Sequence, residues 1–126
     1  MLDALQAIKQ ELEEATRDLG VEVHYLKNLK QEVTYPYLAF TYYTQQLQPY
    51  SDDYIIQIHL YDKDASVERI EKITSAIRKH FDREGFRLKE SGLLMLFQSL
   101  VVASSPSMES ADHHKRYMQL ITRIYY

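Results

Sequence analysis

Two tyrosine-rich runs, YPYLAFTYY at residues 35–43 and DYIIQIHLYD at residues 53–62, alternate with a period of two and lead into an amphipathic helical pattern ending at Phe81. That succession constrains the chain to a β-β-α core. Pro36 lacks a ladder donor and belongs at a strand start, after which Tyr37, Ala39, Thr41 and Tyr43 point one way and Leu38, Phe40 and Tyr42 the other. In the second run Tyr54, Ile56, Ile58 and Leu60 make a core face, and Ile55, Gln57, His59 and Tyr61 make a half-polar one. The intervening QQLQPYSDD contains a proline and paired acids, which suits a hairpin loop longer than two residues. Downstream, Val67, Ile70, Ile73, Ile77 and Phe81 recur at helical spacing, with Asp62, Asp64 and Ser66 as capping candidates. The strand and helix stripes need each other for burial, so Ile56, Ile58, Ile70, Ile73 and Ile77 are expected to pack together.

The flanks complete one domain over residues 1–126. Leu2, Leu5, Ile8, Leu12, Ala15 and Leu19 predict a first helix over residues 2–19 closed by Gly20, with Lys9, Gln10, Glu11, Glu13, Glu14 and Arg17 on a solvated face. Residues 21–26 suit a short strand and 27–32 a polar connector. Gly85 ends the second helix and residues 86–92 read as another polar connector. The apolar run 93–103 fits either helix or strand; its position between Gly92 and the turn-rich SSPSMESADHH favours a strand, paired with the alternating C-terminal run HHKRYMQLITRIYY. The fold class is α+β, a mainly antiparallel sheet with order α-β-β-β-α-β-β and helices packed on it.

Composition removes several function classes. A net charge of −3 and a pI near 5.9 argue against a domain whose main work is neutralising phosphates. Without cysteine there are no disulfides, thiolate zinc sites or cysteine nucleophiles. The N-terminal MLDALQAIKQELEE interleaves apolar and acidic residues, unlike a signal peptide, and no apolar run is long enough to span a bilayer.

Catalytic parts are wanting. Neighbouring His113 and His114 point to opposite faces of a strand and lack a third ligand at metal spacing, so they read as a solvent-facing loop end. His59 reads as a satisfied side chain on the half-polar face. Asp52 with Asp53, and Asp62 with Asp64, read as hairpin and cap residues rather than an acid/base pair, which needs one raised pKa in a concave site. The three scattered glycines form no phosphate-cradling loop. No catalytic, cofactor-binding or metal-ligating residue is assigned, and the chain is not read as an enzyme. Eleven tyrosines without tryptophan are either ordinary sheet residues or an interface. One helix layer covers one sheet face, so the face bearing Tyr37, Tyr43, Tyr61 and Tyr125 needs helix one or another partner.

The phrases YPYLAF, DDYIIQIHLYDKDASVERIEKI and RYMQLITRIYY, in this element order, resemble the tail-terminator or tail-completion (head-tail joining) proteins of long-tailed bacteriophages and prophages, over residues 2–126. The resemblance implies a structural protein without cofactor. Such proteins form homomeric rings, commonly hexamers, on the tail tube and offer a surface to the head-completion or connector protein. Their partners are self, the tail-tube protein and DNA as transiting cargo, with no membrane. Localisation would be the virion, and the host cytoplasm during assembly. Loops 45–53 and 104–114 would project toward a neighbour, adding Tyr50, Asp52, Asp53, Met108, Glu109, Asp112 and His113 to the four face tyrosines as candidate assembly contacts. The competing expectation is a small ferredoxin-like regulatory or ligand-binding module acting as a dimer, which would carry a closed apolar pocket with convergent polar groups.

Overall fold

The computed structural model describes residues 2–27, 29–82, 86–89, 92–103 and 112–126. Helix α1 spans Leu2–Ala15, followed by strands β1 (Glu22–Tyr25), β2 (Tyr37–Gln48) and β3 (Ser51–Lys63). Helix α2 (Glu68–Asp82) then leads to β4 (Phe86–Leu88), β5 (Leu94–Ala103) and β6 (His113–Tyr125). The expected α+β order holds, with one additional strand. β4 lies inside the stretch read as a polar connector, because three residues beside the apolar β5 are enough to pair with it, Arg87 opposite Met95 and Leu88 opposite Leu94.

All six strands form one sheet in the order β1-β2-β3-β6-β5-β4. Only β1 runs parallel to its neighbour, Glu22 opposite Tyr37 through Tyr25 opposite Phe40. It stops there, so residues 41–48 of β2 have a strand on one side only among the described residues. The predicted hairpin of the last two strands is present, with Val101 opposite Gln119 and a register shift between Phe97 and Ser99.

Even-numbered residues of β3 and β6 face the helices. Leu38 and Phe40, Ile56, Ile58 and Leu60, and Met118, Leu120 and Ile124 form one core with Ile8 and Leu12 of α1 and Ile70, Ile73 and Ile77 of α2. Full burial of such side chains contributes about 1.5–3 kcal/mol each. The five isoleucines expected to meet do so.

Several local expectations need correction. The QQLQPYSDD stretch is not a long loop: β2 continues to Gln48, β3 starts at Ser51, and Gln45 and Gln46 pair with Asp53 and Asp52. Ladder hydrogen bonds come from the backbone, so polar side chains did not stop the strands. α1 ends at Ala15, and the chain turns through residues 16–20 with both Asp18 and Gly20 at positive φ, 67° and 68°. Its core stripe is also rotated, because the small Ala4 and Ala7 are buried and let the helix approach the sheet. Val67 precedes α2 and is 45% exposed. The Ser66 hydroxyl accepts from the Glu68 amide at 3.1 Å and caps the helix. Asp62 is no cap; it is buried in β3, where Arg69 donates from Nε to Oδ2 at 2.9 Å. No helix is long and apolar enough to cross a membrane among the described residues.

Candidate assembly surface

Both helices lie on the even face of the sheet, and no described helix or strand packs on the odd face. Strand registers lay that face out as successive rows across β2, β3 and β6. The first row is Tyr37, Tyr61 and Lys115, the second Ala39, His59 and Tyr117, and the third Thr41, Gln57 and Gln119. Tyr43, Ile55 and Ile121 follow, and then Gln45, Asp53 and Arg123.

The first two rows are aromatic. Tyr37 stacks on Tyr61 with centroids 4.9 Å apart, Tyr35 lies 5.6 Å from Tyr37, and His59 lies 5.1 Å from Tyr117. Lys115 stands 5.3 Å over the Tyr61 ring, a cation on the negative face of a π system. Burial, then neighbouring tyrosines, raise the Tyr37 pKa, so the hydroxyl is neutral and able to donate. The middle row is amide: the Thr41 hydroxyl donates to Gln57 at 3.3 Å and Tyr117 to Gln119 at 3.4 Å. Charge enters only at the ends. Asp53 is held by Arg123 at 2.9 Å.

His59 was expected to be satisfied, yet its Nδ1 is enclosed and has no hydrogen-bond partner among the described residues. Burial, reinforced by Lys115, lowers its pKa and keeps the ring neutral. An enclosed ring nitrogen without a partner is an uncompensated cost of placing this side chain among the aromatic rings of the face.

Of the expected contacts, Tyr37, Tyr43, Tyr61 and Tyr125 share this odd face. Tyr43 is 55% exposed. Tyr50 sits in the two-residue turn, and Asp52 lies on the opposite face, accepting from the Tyr126 hydroxyl at 2.8 Å. Tyr54 and Tyr126 join through their hydroxyls at 2.5 Å. These bonds and burial hold the Tyr126 hydroxyl neutral far above its ordinary range, burial acting most strongly. Asp112 is exposed and pairs with His113 at 3.1 Å. The neighbouring histidines do face opposite ways, but His114 is buried rather than solvent-facing and donates to the Asp64 carbonyl at 3.0 Å. Met108 and Glu109, with most of the 104–114 loop, lie outside the described residues. Alternation already puts Gln57 on the face of Tyr61, and Tyr117 and Gln119 on that of Tyr125; they were not counted as contacts because only the β3–β6 register brings them side by side.

A second feature escaped the sequence. Glu11, expected in solvent, is 3% exposed. His80 of α2 donates to it at 2.9 Å, Lys89 just beyond β4 pairs with it, and the Arg87 Nε lies 3.5 Å away. Burial pushes this carboxyl up, but the hydrogen bonds and charges of His80 and Lys89 outweigh that and leave its pKa lowered. The outer side of α1 and the end of β4 bound an open, mostly polar groove of about 650 Å³, with Asp3, Gln10, Glu13 and Glu14 on one wall and Leu88 and Lys89 on the other. No group of three or more His, Asp or Glu side chains suited to a metal occurs among the described residues.

No family model and no curated protein matches the chain. Among 28 matching chains of solved structures, one whose designation carries no functional term aligns with all of this chain and 96% of its own length. Its TM-score is 0.71 at 13% identity, a likeness that shows the fold alone.

Proposed function

We propose that this protein is a structural component of a long-tailed phage or prophage virion, one that ends the tail tube and offers a joining surface to the head or neck, acting as a homomeric ring. The observation that carries the assembly role is the odd face of the sheet. It is tyrosine- and amide-rich, poor in charge at its centre and without a described covering element, as expected of the core of a protein interface. The tail assignment rests on the sequence phrases YPYLAF, DDYIIQIHLYDKDASVERIEKI and RYMQLITRIYY. The groove beside α1 is open and mainly polar, not the closed apolar pocket of a metabolite-binding module. The element order also lacks the βαββαβ connectivity of a ferredoxin-like domain. DNA passes through as cargo, and the partners are further copies, the tail-tube protein and a connector.

The test is mass measurement in solution and again with purified tail tubes of the phage that carries the chain. Ring-sized species on tube ends support the reading. A stable two-fold dimer that ignores tubes overturns it. Tyr61→Ala and Tyr117→Ala, combined, should leave the fold intact and abolish capping.

A further inference from the structure

We infer that His59 makes the aromatic face sensitive to acid: the packing of Tyr61, His59 and Tyr117 holds while the imidazole is neutral and opens when the ring takes a second proton. Because this face is the proposed assembly surface, its opening would govern when a partner settles there, a consequence that rests on the function proposed above. The switch itself needs only one chain. His59 is half-buried, stacked on Tyr61 with centroids 6.4 Å apart and tilted against Tyr117 at 5.1 Å. Its Nδ1 is enclosed and has no hydrogen-bond partner among the described residues. An imidazolium carries N–H at both nitrogens. Whichever tautomer the neutral ring holds, charging it therefore leaves an enclosed donor at Nδ1 with no acceptor.

The neighbouring strands supply no compensating charge. β6 places Lys115 in the adjacent row, over the Tyr61 ring, and Tyr117 directly opposite His59. β2 adds Tyr37, and Lys63 and His113 pair one row farther out. Parallel pairing puts Glu22 and His24 of β1 on the same face, with Ala39 between His24 and His59. Glu22 is taken up there by His24 at 3.1 Å and Lys30 at 2.8 Å. Asp53 stands three rows away, held by Arg123, and Asp112 pairs with His113. His24 thus has a carboxylate beside it, and His59, in the same row, has a cation. Burial first, and Lys115 second, keep His59 neutral in the folded chain to lower pH than in water. An arrangement with the ring swung out to solvent binds the second proton more readily, so acid drives the opening and rising pH reverses it.

A proton NMR titration of the full chain alone, from pH 8 to pH 5, tests the switch through the ring signals of His59, Tyr61 and Tyr117. The His59 midpoint should fall below the ordinary histidine range, and its cross-peaks to both tyrosines should vanish with that midpoint. His59→Phe keeps an aromatic ring without the titration and should leave the tyrosine signals flat, whereas His24→Phe should leave the transition in place. A His59 midpoint at or above the ordinary range overturns the inference, as do cross-peaks that persist through it or a transition that survives His59→Phe. If His59→Phe does not fold, the wild-type midpoints decide alone. Tube capping, measured separately, should weaken about tenfold per pH unit for each copy below that midpoint, since a covered face admits no second proton. Capping unchanged through the midpoint overturns the regulation. A chain that caps at no pH overturns the tail reading, and the titration still decides the switch.

Discussion

Glu11 shows how much a single residue can depend on partners distant in sequence. Its partners lie on α2 and around β4, 69 residues away for His80 and 78 for Lys89, so neither can be inferred from helical periodicity. The leucine stripe assigned Glu11 to solvent because it ignored Ala4 and Ala7, whose small side chains turn the core-facing side of α1 toward Glu11. Glu11→Gln keeps the shape but removes the charge, and should destabilise the fold by about 2 kcal/mol. Because the folded pKa is lowered, the stabilisation is complete above the ordinary glutamate range and fades as pH falls through it toward the folded value. Urea midpoints measured from pH 7 down to pH 3 should therefore fall less steeply for Glu11→Gln than for the wild-type chain. Parallel curves would assign the acid sensitivity to other carboxylates.

At the scale of elements, α2, β3 and β6 were legible because each has enough residues to repeat a period, whereas β5 was placed only by the turn signals on either side of it. Ile73→Ala should lower stability by about 2–5 kcal/mol, the range for emptying a packed aliphatic site, visible in the denaturant midpoint. Short elements were the ones misread. β4 has three residues, too few for any alternation, and the β2–β3 connection was expected to be long from its proline and paired acids, although pairing of Gln45 with Asp53 depends on backbone alone. Gly20 was correctly read as a left-handed stop, but of the turn after α1 rather than of the helix itself. Gly20→Ala meets no atom within 4 Å, so its expected loss of about 1 kcal/mol comes from backbone conformation alone. A loss of 3 kcal/mol or more would mean that the turn carries contacts beyond its φ.

For the whole molecule, alternation revealed Tyr37 and Tyr61 as neighbours in kind, whereas the aromatic and amide rows exist only once β2, β3 and β6 are in register. Side chains on one strand can be read from sequence; those across three strands require the sheet. The same limit hid the early stop of β1. Beyond it β2 carries TYYTQQLQ, a stretch without charge, proline or glycine, whose outer backbone groups have no strand beside them among the described residues. Soluble proteins usually guard such a margin with lysine or proline, because it templates pairing between chains. A Thr44→Lys variant should delay the onset of thioflavin-positive aggregates on quiescent storage while leaving the melting temperature unchanged. Identical lag times would clear this margin of blame. If this margin does template pairing, storage life will depend on the concentration of unassembled copies, because assembly would be the only thing that covers it.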